Sequence, residues 1–221
     1  MPNDGLHKHA LWFFGVILGL AIKEGLVDVF PHIFRTSAVD QWVMYVEVIR
    51  LAMFLLISIR FYLGAVIFFE RAYGNPATKI NYRKKNFGVD FLFGFVHFLF
   101  FSGMALSIDI QENFKHWFPL LMAGALAYDV LWYIFSRRYD TRYLIRLWTV
   151  VNLVTLLFAI PTYLIVRRVT DNPVSAETFA YIPVAFFSFV DIGEITTGNE
   201  IVSTALVRAG EKIKSFAVKQ P

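Results

Sequence analysis

Residues 42–69 read WVMYVEVIRLAMFLLISIRFYLGAVIFF, and this stretch decides the fold class. Among its 28 residues only Glu47, Arg50 and Arg60 are charged. A helix needs about 20 mostly apolar residues to cross the hydrocarbon core of a bilayer. The stretch is therefore predicted to be a membrane-spanning helix, long enough to tilt or to project beyond the bilayer.

The composition of the whole chain agrees with this interpretation. Apolar residues make up 57% of the 221 residues and charged residues only 17%, whereas soluble domains average roughly 45–50% and 25%. A soluble protein of this size cannot bury so much apolar surface. The chain has no Cys, which excludes disulfides, thiolate metal sites and Cys nucleophiles. The sequence predicts no metal site and no cofactor.

The same length criterion finds five further spans. We predict an all-α bundle of six membrane-spanning helices within residues 1–199, followed by a basic cytoplasmic tail over residues 200–221. The predicted spans cover residues 10–30, 42–69, 87–108, 117–135, 143–166 and 179–195.

The Lys and Arg residues between the spans predict the orientation of the bundle. One side of the membrane receives 14 of them and the other side 4. Positive charge is retained on the cytoplasmic side, so both termini are expected in the cytoplasm and the protein in the plasma (inner) membrane. The net charge of +4 is interpreted as a topology signal, and no nucleic-acid partner is expected.

The tail carries an apolar stripe with helical spacing. Its members are spaced 4, 3, 4 and 3 residues apart: Val202, Leu206, Ala209, Ile213 and Phe216. This pattern predicts a short amphipathic helix. Such a helix could line a bundle in a homo-oligomer, bind a cytosolic protein or lie on the lipid surface. A frayed extension of the sixth span is the plainer alternative.

Charges within the spans form two groups by depth. Lys23, Glu24, Glu47 and Arg50 are all six to nine residues from the loop that joins spans one and two, so they should share the outer half of the bilayer. Two cations and two anions balance. This group is predicted to be a structural ion-pair cluster, with an outer gate as the functional alternative.

The second group does not balance. Asp129 and Asp191 each lie 12 residues into spans that run in the same direction, about 18 Å from the outer boundary. Glu194 follows Asp191 by one turn, and His97 lies near the middle of span three. The cation at this depth is Arg60. Buried acids in excess over cations should take up a proton or hold a cation.

These acids lead to the functional hypothesis. We expect a cation or proton channel, or an ion-coupled transporter, in which His97 relays protons and Arg60 is a counter-charge. The rival hypothesis is a non-conducting membrane sensor or scaffold that recruits a cytosolic partner through its basic inner face and tail. No enzymatic activity and no catalytic residue is predicted, because zincin, P-loop and dinucleotide-binding patterns are absent from the sequence. A membrane enzyme that depends on Asp129 and Asp191 is the third hypothesis. A haem held by two histidines is disfavoured, because His97 is the one deep histidine.

Overall fold

The computed structural model of the protein describes residues 5–33, 38–74, 80–109, 117–136 and 142–197. Within them it contains six long α-helices, each long and apolar enough to cross a membrane, which confirms the predicted number of spans. A π-helical segment, Glu70–Gly74, follows the second helix. The α-helices are α1 (Leu6–Ile33), α2 (Ala38–Phe69), α3 (Ile80–Ala105), α4 (Trp117–Ser136), α5 (Arg142–Thr170) and α6 (Pro173–Thr197).

Each helix packs against the next in the chain, and α2 also packs against α6 while α1 packs against α3. Successive helices run in opposite directions, so the start of α1, the end of α2 and the end of α6 share one end of the bundle, here called the terminal end. At this end, His7 Nε2 near the start of α1 lies 3.5 Å from Oε1 of Glu70, which directly follows α2. Because α2 packs against α1, α3 and α6, its polar residues can bond to residues of several other helices.

The interior and exterior of the bundle are both apolar, as expected of a membrane protein. Aromatic rings fill the core: Phe14 stacks on Phe91 and Phe98 with ring centroids 5.3 and 4.9 Å apart. Large apolar side chains such as Trp12, Leu157 and Phe189 are more than 60% exposed on the outside. A soluble protein rarely exposes so much contiguous apolar surface, but a lipid-facing helix does.

The turn between α5 and α6 explains why α6 begins earlier than predicted. Asn172 caps the helix by accepting hydrogen bonds from the backbone N–H groups of Val174 and Ser175, at 2.9 and 3.3 Å. Pro173 occupies the first helical position, where its missing N–H costs nothing. Asp171 adopts a left-handed backbone conformation with φ of 50°. The helix therefore starts six residues before residue 179 and includes Glu177.

The predicted amphipathic helix and tail over residues 200–221 lie outside the described residues. The end of α2 also differs from the sequence-based expectation, which assigned residues 70–86 to a loop. There the π-helical segment continues the chain directly from α2, and α3 begins at Ile80. Short π-helical segments are frequent at functional sites.

Candidate functional site

The two aspartates that the sequence placed at equal depth belong to one hydrogen-bonded network. The Nε atom of Arg60 in α2 donates to Asp191 Oδ2 in α6 at 2.5 Å. The Nη2 atom of Arg60 donates to Asn152 Oδ1 in α5 at 2.6 Å. Asn152 Nδ2 in turn donates to Asp129 Oδ2 in α4 at 2.5 Å. Arg60 and Asn152 thus connect the two acids, and four different helices meet in the connection.

Asn152 can serve this connection because an amide both donates and accepts. A guanidinium group only donates, and an ionised carboxylate only accepts. The carbonyl oxygen of Asn152 must therefore face Arg60 and its NH₂ group must face Asp129, which settles the orientation of the amide. A hydrophobic or acidic side chain at this position could not bridge the two groups.

His97 of α3 completes the set, named here the Arg60 network: Arg60, Asp191, Asn152, Asp129 and His97. Its Nε2 atom lies 2.9 Å from the carbonyl oxygen of Ala125 and 3.4 Å from Asp129 Oδ1. A carbonyl oxygen only accepts, so in the neutral ring Nε2 carries the proton. Nδ1 is buried and makes no hydrogen bond of normal geometry within the described part of the chain.

The charges of the network do not cancel when both acids are ionised. All its members are buried, with Asp129 only 2% and Asp191 5% exposed. Two carboxylates and one guanidinium leave one net negative charge, which is costly in a low-dielectric interior. One bound proton makes the network neutral. The remaining predicted acid, Glu194, is half-buried one turn further along α6.

A small cavity borders all five members of the Arg60 network. Its volume is about 30 Å³, and a buried water needs roughly 10–15 Å³ of such space. The small residues Gly64, Ala65 and Gly94 line it, and Trp132 and Trp148 form another part of its wall. The Nη1 atom of Arg60 is buried and makes no hydrogen bond to any described residue. The cavity therefore has room for one or two water molecules, and Arg60 Nη1 is a donor that such a water could accept from.

In the predicted cluster of Lys23, Glu24, Glu47 and Arg50, the structure places Arg50 against a carboxylate from α6. Arg50 is buried and forms two hydrogen bonds to Glu177 of α6, with Nε–Oε1 at 2.7 Å and Nη2–Oε2 at 2.8 Å. Its carboxylate partner therefore lies outside the predicted set of four. Within that set, Glu47 is buried, Glu24 is half-buried and Lys23 is exposed on α1.

Further contacts saturate this pair, named here the Arg50 network: Arg50, Glu177, Tyr181 and the carbonyl of Ser107. Arg50 Nη1 donates to the Ser107 oxygen at 3.0 Å, and the Tyr181 hydroxyl donates to Glu177. The guanidinium also lies over the Phe118 ring, 5.4 Å from its centroid. One cation faces one anion, so this network is neutral without a bound proton.

Sequence reasoning missed three functional candidates. Glu177 was assigned to a loop, although Asn172-Pro173 is a recognisable helix start. Asn152 lies within the predicted fifth span, but counting residues does not identify it as the link between Asp129 and Arg60. Asp90 lies inside the predicted third span, where any acid is a signal. It is fully buried and accepts hydrogen bonds from the Tyr73 hydroxyl and, at 2.9 Å, from Trp132 Nε1.

No known protein family, curated protein or solved structure matches this chain, so the functional argument depends on the geometry of these residues.

Proposed function

We propose that the protein moves protons across the membrane, as a channel or a proton-coupled transporter, and that the Arg60 network is its proton-binding site. One observation carries this proposal. Two buried carboxylates share a single guanidinium through an unbroken series of hydrogen bonds. All the residues of this series border a cavity of about 30 Å³. Excess buried acid next to water is the arrangement found in proton relays.

The roles follow from the contacts of each acid. Asp191 accepts a short hydrogen bond from Arg60, so it forms the direct ion pair of the network. Among the described residues, the Asp129 carboxylate contacts the Asn152 amide and the His97 ring, which are both neutral when His97 carries a single ring proton. Asp129 is therefore the acid that takes up and releases the proton, and each uptake removes the net negative charge of the network.

His97 can deliver that proton without rotating. A proton that arrives at Nδ1 makes the ring cationic, and the ring then gives its Nε2 proton to Asp129 Oδ1, 3.4 Å away. The ring returns to neutral in the other tautomer. In this proposal, Glu194 is a further acid of the proton path, one turn beyond Asp191 near the end of α6.

The size of the cavity favours a proton over a larger cation. A metal cation that keeps its hydration shell does not fit in space for one or two water molecules, whereas a proton needs only a hydrogen-bonded water or side chain. We therefore propose a proton as the transported ion, whereas the sequence alone predicts a cation or a proton.

We place both termini in the cytoplasm and the protein in the plasma membrane, because of the 14 to 4 distribution of Lys and Arg. The terminal end of the bundle is then its cytoplasmic end. Six short-looped helices make a small unit, and we expect a homo-oligomer with cyclic symmetry.

Proton flux into liposomes tests the proposal. Purified protein is reconstituted with a pH-sensitive dye inside, and a proton gradient is imposed at a membrane potential held by K⁺ and valinomycin. We expect flux in the natural protein and its loss in Asp129→Asn and Asp191→Asn. Asp171→Asn is the matched control, because its side chain is 99% exposed and the chemical change is the same. No flux from folded protein would contradict the proposal and favour the non-conducting sensor or scaffold.

A further inference from the structure

Asp90 is a buried acid that the path described so far does not use. It lies in the first half of α3, ten residues after Ile80. Both of the donors described for it are uncharged: the Tyr73 hydroxyl of the π-helical segment and the Trp132 indole of α4. A fully buried carboxylate is costly in a membrane protein and marks a functional site by default.

Its position aligns it with the Arg60 network. Asp90, Gly94 and His97 are spaced four and three residues apart in α3, so they share one face of the helix. Gly94 and His97 line the cavity. Seven residues of α-helix span about 10.5 Å, so Asp90 is about that far from His97, toward the terminal end.

Trp132 lies between the cavity and Asp90. Its indole lines the cavity, while its Nε1 atom donates to Asp90 at 2.9 Å. Two rings hold it in place: Phe93 stacks on it with centroids 6.0 Å apart, and Phe68 meets it edge-on at 5.0 Å. The His97 ring is 6.1 Å away on the cavity side. The Trp132 side chain therefore contacts both the cavity and Asp90.

We propose that Asp90 is the next proton-binding residue of the path toward the terminal end, and that Trp132 is the barrier between it and the cavity. The proposal depends on proton movement through the Arg60 network. When the Trp132–Asp90 hydrogen bond breaks and the indole moves, water joins the two acids. The proton leaves the Asp129 carboxyl, which becomes a carboxylate, and binds the Asp90 carboxylate, which becomes neutral.

The surroundings of Asp90 offer an exit for that proton. Tyr73 connects Asp90 to the π-helical segment, at the same end of the bundle as the start of α1. The segment also carries Glu70, whose side chain is 50% exposed and 3.5 Å from His7. The half-exposed carboxylate of Glu70 thus lies on the element that supplies a donor to Asp90, and the buried His7 of α1 lies beside it.

Two substitutions with opposite expected signs test the proposal in the liposome assay. Asp90→Asn keeps an oxygen for the Trp132 N–H but cannot bind and release a proton, and we expect it to lower flux by about 100-fold. Trp132→Phe removes a hydrogen bond from the closed state and shrinks the barrier, and we expect it to raise flux about three- to tenfold. Trp148→Phe, at the same cavity, is the control and should change flux less than Trp132→Phe does.

Asp90→Glu restores the acid and is expected to recover flux relative to Asp90→Asn, provided that both variants are shown to be folded by their melting temperature in detergent. A purely structural Asp90 would make both Asp90→Asn and Trp132→Phe lose stability and flux together, which would overturn the proposal. Unchanged flux in Asp90→Asn, with flux lost in Asp129→Asn, would also overturn it while leaving the proposed function intact. Absence of flux in the natural protein would remove both.

Discussion

Arg50 and Arg60 lie on the same helix, are both buried, and each bonds to a carboxylate of α6, yet the two networks differ in their charge. Arg50 pairs with Glu177 through two hydrogen bonds, and Tyr181 donates a further hydrogen bond to Glu177. Arg60 is shared between Asp191 and, through Asn152, Asp129. The first network is neutral as it stands, whereas the second becomes neutral when it binds a proton.

The two networks also differ in how many of their residues line the cavity beside them. All five members of the Arg60 network border the small cavity. The cavity beside the Arg50 network is larger, about 370 Å³ between α4, α5 and α6, but Glu177 is the only member of that network in its wall, which is otherwise mostly apolar. A balanced ion pair holds helices together, whereas an unbalanced one beside a cavity with room for water can exchange protons. The predictions below test this distinction.

The largest expected effect is on stability, at the Arg50 network. Glu177→Gln leaves the Arg50 charge buried without an anion, and we expect it to cost about 3–5 kcal/mol of folding free energy. Asp191→Asn, the matched change on the same helix, should cost less, because Asp129 remains as a counter-charge near Arg60. Thermal unfolding in detergent measures both. Equal losses of folding free energy would show that the two networks stabilise the protein to the same extent.

Asp129→Asn should have the largest effect on flux, with little effect on stability. The amide keeps an oxygen for the Asn152 NH₂ group, and the substitution removes the excess negative charge. We expect proton flux to fall by about 100-fold and the melting temperature to stay the same or rise. A large fall in melting temperature would instead indicate that Asp129 is needed for folding.

Asn152→Ala tests the link between the two acids. Arg60 and Asp129 would each lose a hydrogen bond, which we expect to cost about 1–3 kcal/mol and to lower flux by about tenfold. Thr162→Ala is a useful control on the same helix, because its hydroxyl bonds only the Phe158 carbonyl one turn earlier. A fall in stability with unchanged flux per folded molecule would show that the bridge is structural.

The smallest expected effect comes from the cavity wall. A Cβ atom added at Gly64 would lie 3.3 Å from Trp148 Cζ2, so Gly64→Ala crowds the space available to water. We expect flux to fall about two- to fivefold, since removal of one water contact is a change of about 1 kcal/mol or less. Gly19→Ala is the control, because nothing lies within 4 Å of its added Cβ. Identical flux in both variants would argue against water in the cavity.

The sequence predicted the helices well because membrane spans depend on length and apolarity, which can be counted. It also placed Asp129 and Asp191 at one depth, because the helical rise converts position into depth. Depth does not give rotation about the helix axis, so Asn152 could not be identified as the bridge to Arg60. Arg50 was expected to balance charges on α1 and α2, whereas its carboxylate partner came from α6.

Glu177 and Asp90 illustrate two other limits. The apolar pattern of α6 becomes continuous only near residue 179, and the polar first turn that contains Glu177 is helical because Asn172 caps it and Pro173 starts it. Asp90 lies close to the start of the apolar part of α3. Its burial depends on Tyr73 and Trp132, which come from the π-helical segment and α4, and such tertiary contacts have no local signal in the sequence.

The most direct test of the account compares proton flux per folded molecule for Asp129→Asn and Glu177→Gln, side by side in liposomes with the natural protein. Both changes replace a buried acid with its amide. The account predicts that Asp129→Asn lowers flux by about 100-fold and that the Glu177→Gln molecules that remain folded conduct as the natural protein does. Equal flux in the two variants, or loss confined to Glu177→Gln, would contradict it.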